Sequence, residues 1–116
     1  MKIINSYPDQ ASLTKKQLYQ LTMSPKTLKM KDAVGQVLDV AAWCHYEDDK
    51  NDSETQEIMS ILTPEGETYA TNSASFMRDF LKMSDVFGAD GVDAIEVISG
   101  ISGKNQREFI TCSYAG

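Results

Sequence analysis

Apolar and polar positions alternate most clearly between Gln36 and Tyr46. One parity holds Leu38, Val40, Ala42, Cys44 and Tyr46; the other holds Val37, Asp39, Ala41, Trp43 and His45. Successive strand residues face opposite ways, so the alternation predicts a strand with the first set towards the core. Trp43 and His45, sharing a parity with Asp39, are expected on the outer face. The run Glu47-Asp48-Asp49-Lys50-Asn51-Asp52-Ser53-Glu54 is too polar to be buried and reads as a loop. A second strand is predicted over residues 56–62, followed by Thr63-Pro64-Glu65-Gly66. There proline presets φ at the second position and glycine accepts positive φ, so residues 67–71 return as the third strand of a hairpin. The period then lengthens. Phe76, Phe80, Met83 and Phe87, widened by Met77 and Leu81, form an apolar stripe at helical spacing. Asn72 or Ser73 caps this helix and Gly88 stops it. Residues 94–99 and 107–114 read as two more strands, joined by a loop over residues 100–106.

The chain before Gly35 is less regular. Gln17-Leu18-Tyr19-Gln20-Leu21-Thr22-Met23 mixes β-forming residues with weak alternation and stops at Ser24-Pro25, which favours a strand. A short helix with Thr14 as cap and Gln17 at its third position is the competing reading. Lys26-Thr27-Leu28-Lys29-Met30-Lys31, if extended, is expected to carry its three ammonium groups towards one side.

Three strands, a helix and two strands, in that order from Gly35 to Tyr114, match a small five-stranded, partly open barrel of the OB kind, in which the helix follows the third strand. The expected fold is therefore mainly β: an OB-like barrel over residues 35–116, preceded by residues 1–34 as an N-terminal arm or added strand. Such barrels bind oligonucleotides on a strand face and in loops, work that needs no catalytic residue.

Composition sharpens this picture. With 116 residues, 41% of them hydrophobic and 24% charged, the chain suits one globular domain with one compact core. No apolar run approaches the roughly 20 residues needed to cross a bilayer, and the N-terminus lacks the apolar stretch of a signal peptide. A cytoplasmic protein without a membrane partner is expected. Cys44 and Cys112 are too few for a disulfide scaffold and are expected as free thiols. Asn51-Asp52-Ser53 spells a glycosylation sequon that has meaning only in a secreted chain. The net charge of −6 speaks against a phosphate-bearing partner until its distribution is considered. Residues 1–36 hold six lysines against two acids, net +4, and residues 37–116 hold five basic residues against fifteen acids, net −10. A bound strand feels the local field rather than the sum.

The chemistry-bearing residues argue against an enzyme. His45 is the only histidine and has no partner at the spacing of a nucleophile–base pair. Cys44 and His45 are adjacent in a strand and face opposite ways, so they do not begin a zinc site. Counted from Asp49, the acidic run places Glu54 and Ser60 where a calcium loop of the EF-hand type requires glycine and glutamate. Gly100-Ile101-Ser102-Gly103-Lys104-Asn105 is too short between its glycines for a phosphate-cradling P-loop and lacks the hydroxyl after lysine. No catalytic residue, metal or cofactor is assigned.

Single-strand binding pairs a positive groove with aromatic faces on which bases stack. The candidate faces are Trp43 with His45 on the first strand, Tyr69 on the third and Phe109 on the fifth, of which Phe109 reads as core rather than platform. The candidate cations are Lys104 and Arg107 beside the last loop, and Lys29 and Lys31 from the N-terminal region.

Several short motifs then fall into a familiar order. Gly35 opens an apolar strand that ends in Tyr46 and an acidic run. A glycine hairpin turn leads to Tyr69-Ala70-Thr71-Asn72-Ser73 and a helix, and Gly100-Ile101-Ser102-Gly103-Lys104 precedes Arg107-Glu108-Phe109. From Gly35 to Tyr114 the chain resembles the small single-stranded DNA-binding proteins of bacteriophages, including those of protein-primed phages. The resemblance implies a non-enzymatic protein that coats displaced strands during phage DNA replication. It would act without strong sequence preference, in the host cytoplasm, with single-stranded DNA and phage replication proteins as partners. The closing Ser113-Tyr114-Ala115-Gly116 is not an acidic recruitment tail, so docking of host repair enzymes through such a tail is not expected. The rival expectation is an acidic phage module that binds a host enzyme and occupies or mimics nucleic acid there. The −10 balance of residues 37–116 favours it.

Overall fold

The structure, a computed structural model, describes residues 1–51, 54–104 and 106–116, and the side chains of Lys50 and Asn51 are not considered. It is mainly β, with two sheets and two α-helices. The elements in chain order are β1 (Lys2–Tyr7), α1 (Lys15–Thr22), β2 (Leu28–Lys29), β3 (Val37–Asp39), β4 (Ala42–Asn51), β5 (Glu54–Leu62), β6 (Thr68–Thr71), α2 (Ala74–Phe87), β7 (Ala94–Ile101) and β8 (Glu108–Tyr114). One sheet has the order β1-β4-β5-β6-β2 and the other β3-β7-β8. Neighbouring strands are antiparallel, except that β2 runs parallel to β6.

The strand expected over residues 36–46 is two strands. β3 belongs to the smaller sheet and β4 to the larger, and the chain crosses between them at Val40 and Ala41. The Val40 N–H donates to the Asp93 carbonyl and the Ala41 N–H to the Leu62 carbonyl, each at 2.8 Å. The crossing reverses the side-chain parity. Leu38 and Trp43 stand at an odd spacing, yet both lie in the main core with Ile61, Phe80 and Ile95. In an unbroken strand they would face opposite ways. Trp43 is therefore 1% exposed, with its ring edge-on to Phe80 at 5.3 Å, and the outer-face expectation for it is corrected. His45 shares its parity and is also buried.

The alternate set, Ala42, Cys44 and Tyr46, meets a second core that α1 closes with Leu21. The large sheet is thus covered on both faces. Residues 17–23, read above as a strand, are mostly helical. The Thr14 hydroxyl accepts the Gln17 N–H and the Gln17 carboxamide accepts the Thr14 N–H, both at 3.0 Å. This reciprocal cap satisfies two amides that a helix start otherwise leaves open. Leu21 then gains an apolar seat, and the Ser60 hydroxyl donates to its carbonyl at 2.6 Å. The segment before Gly35 also supplies β1 as an edge strand on β4, and Met30 and Ala33 to the main core.

The Thr63–Gly66 turn, α2 and the last two strands stand where expected, with small changes of boundary. Gly66 has φ +93° and its N–H closes the turn on the Thr63 carbonyl at 3.0 Å. The Ser73 hydroxyl accepts from the Phe76 N–H at the start of α2, and Gly88, at φ +59°, ends it. The polar run expected as a loop is instead mostly strand. Glu47, Asp48 and Asp49 of β4 face Glu57, Gln56 and Thr55 of β5 in register. Ladder hydrogen bonds hold a strand whose side chains remain in water, so polarity alone did not exclude pairing. Asp52 and Ser53 of the sequon, and Asn105 of the last loop, lie outside the described residues.

Candidate nucleic-acid interface

On β5, Gln56, Ile58, Ser60 and Leu62 share the face opposite to the main core, and register places Ala70 beside Ser60 and Thr68 beside Leu62. α1 covers the end of this face that carries Ser60 and Leu62. The other end stays open. There β2 aligns Lys29 with Ala70 of β6, and the 3-10 turn Met30–Ala33 carries Lys31 past it. The result is a cavity of about 360 Å³ whose walls include Lys29, Lys31, Gln56, Ile58, Ala70 and Asn72. It shares Lys31, Thr71 and Asn72 with a neighbouring cavity of about 500 Å³ that reaches Phe109 and Ile110 of β8.

The second cavity exists because β6 and β8 do not pair. The start of α2 serves that gap instead: the hydroxyls of Ser73 and Ser75 donate to the Ile110 carbonyl at 3.1 and 2.7 Å. At the β8 end Phe109 faces Gly100 across the ladder, and a Cβ on Gly100 would fall 2.5 Å from the ring. The bare glycine lets the ring lie against β7 while 38% exposed. Among the described residues neither Lys29 nor Lys31 has an acidic partner within salt-bridge distance. The smaller cavity has no carboxylate in its lining, whereas Asp32 and Glu108 line the larger one.

The candidate residues divide accordingly. Lys29 and Lys31 are brought together on the groove. The extended lysine segment expected over residues 26–31 is interrupted by the turn at Met30, and Lys26 lines a separate cavity beside Gly66. Trp43 is sealed in the core. His45 is 7% exposed, with Nε2 3.0 Å from Glu57 Oε1, so its ring offers no face for stacking. Tyr69 lies on the inner parity, partly buried against the main core, and desolvation followed by the charge of Glu67 raises its pKa. Lys104 and Arg107 are exposed in the connection between β7 and β8, where the Ser102 N–H donates to the Arg107 carbonyl at 2.9 Å, and they line neither cavity.

Sequence reasoning passed over Gln56, Asn72 and the exposure of Phe109. For Phe109 a signal existed: Thr111 and Ser113 share its parity, and that polar set marks the outward side of β8. Among the described residues no group of three or more His, Cys, Asp or Glu could hold a metal ion, and no helix is long and apolar enough to cross a membrane. No protein-family model, curated protein or solved structure matches the chain.

Proposed function

We propose that this chain is a non-enzymatic, OB-like single-stranded DNA-binding protein, and that the groove from β2 across the end of β6 to β8 is the path of the strand. The observation that carries the reading is the meeting, on one open groove of an acidic chain, of two ammonium groups without acidic partners and an exposed aromatic ring. Lys29 and Lys31 contact phosphates, Phe109 stacks on a base, and Arg107 and Lys104 extend the positive charge beyond Glu108. The order β4-β5-β6-α2-β7-β8, with a gap between β6 and β8, supports the comparison with a partly open barrel. A role in coating displaced strands during phage DNA replication follows from the resemblance described above.

Because Trp43 is buried away from the groove, its fluorescence is not the reporter of binding. Anisotropy of a labelled oligo-dT is, read between 50 and 200 mM salt. The double variant Lys29→Ala/Lys31→Ala should flatten the log–log salt slope by about 1.4, at roughly 0.7 per phosphate on single strands. Phe109→Ala should weaken binding by about 1–3 kcal/mol, the usual worth of one stacked base. Absence of binding at 50 mM salt would refute the reading. The acidic β4–β5 hairpin, where Glu47 stands opposite Glu57, favours the rival of a module that docks on a basic protein surface. Capture of a host enzyme that survives nuclease treatment, without oligonucleotide binding, would select that rival.

A further inference from the structure

The smaller cavity combines features that a merely electrostatic groove does not need. Its lining carries two cations and no acid, although the whole chain has a net charge of −6. Ile58 and Ala70 give it an apolar floor, backed by the fully buried Met30. Beside that floor stand two carboxamides, Gln56 and Asn72, with Asn72 Nδ2 donating to Gln56 Oε1 at 3.4 Å. This bond uses one donor and one acceptor of the pair. Among the described residues, the Asn72 carbonyl oxygen and the Gln56 amide hydrogens have no other partner.

An apolar floor, a free donor beside a free acceptor, and cations at the rim together describe a receptor for a flat heteroaromatic ring attached to phosphate. We infer that this cavity seats one base of the bound strand and that Gln56 and Asn72 read its edge, with adenine the preferred base. Carboxamides match adenine through the N6 donor and N7 acceptor of its major-groove edge, where thymine presents only the O4 acceptor and a methyl group. The inference rests on the nucleic-acid reading above and adds to it. Phosphate contacts position the strand without regard to sequence, whereas this one pocket discriminates. Gln56 and Asn72 are specificity-determining residues, and binding is not uniform over sequence.

The test compares two labelled oligonucleotides of about 20 nucleotides, one all thymine and one with a single central adenine, by anisotropy at low salt. The adenine-containing strand should bind roughly fivefold more tightly. Replacing that adenine with 7-deazaadenine, which lacks the N7 acceptor, should abolish most of the preference in the unaltered protein. Asn72→Ala and Gln56→Ala should each bring the affinity ratio of the two strands close to one. Equal affinities for the two strands overturn base reading and leave strand binding intact. A preference that persists with 7-deazaadenine, or in both variants, also overturns it. Failure of both strands to bind removes the strand-binding reading itself.

Discussion

Leu21 is the side chain through which α1 is anchored, and truncating it tests whether the N-terminal segment is part of the folded unit. It is 1% exposed and packs in the second core with Ala42, Cys44, Tyr46 and Leu62. Leu21→Ala removes three carbons, worth about 2.4 kcal/mol at roughly 0.8 kcal/mol per buried methylene. A cavity contribution follows because the sheet face below cannot collapse onto α1, and buried Leu→Ala changes cost about 2–5 kcal/mol in all. We expect about 3 kcal/mol. With a urea slope of about 1.5 kcal/mol per molar, the unfolding midpoint should fall by about 2 M. Trp43 fluorescence is the probe, since this residue lies in the main core and reports loss of the whole fold. Tyr19→Ala on the exposed side of the same helix is the control, and should cost no more than about 0.5 kcal/mol. A segment that merely lies against the sheets would make the two variants alike. A Leu21→Ala midpoint within about 0.3 M of the parent would refute the coupling of the two cores.

Two further measurements probe the interior. Thr111 and Arg78 hydrogen-bond the Asp79 carboxylate and hold its pKa below the ordinary 3.8, which ties α2 to β8. A depressed carboxyl pKa stabilises the fold fully above the unfolded value, and this stabilisation is lost as pH falls through the folded one. The stability deficit of Thr111→Val should therefore be largest at neutral pH and shrink below about pH 4, as read by urea unfolding across that range; a deficit constant with pH would refute the linkage. Burial pushes the Cys44 thiol up to about 11, and burial together with the Asp79 charge pushes Cys112 to about 12. Both should react with a thiol reagent at pH 8 only as fast as the protein opens, and rapid modification of the native protein would contradict the packing.

The features legible in the sequence are those whose causes lie within a few residues. The Thr63–Gly66 turn follows from proline and glycine geometry, and α2 from a helical stripe with a serine at one end and a glycine at the other. The helix start at Thr14 was also written locally, in a reciprocal cap that outweighed the β-forming residues after it. Tertiary structure decided the matters on which function turns. A period of two tells which side chains share a face, but not which face is covered, nor where the period breaks. At Val40 and Ala41 the break depends on carbonyls of Asp93 and Leu62, which no local pattern specifies, and it sends Trp43 inward. Lys29 and Lys31 converge because β2 pairs in parallel with the distant β6, and Phe109 is exposed over Gly100 because β7 and β8 align them. The sequence by itself determined the hairpin turn, α2 and the order of strand, helix and two strands that follows; the long-range backbone pairing decided where strands split and which side chains meet in the groove, because only pairing sets register and covered faces.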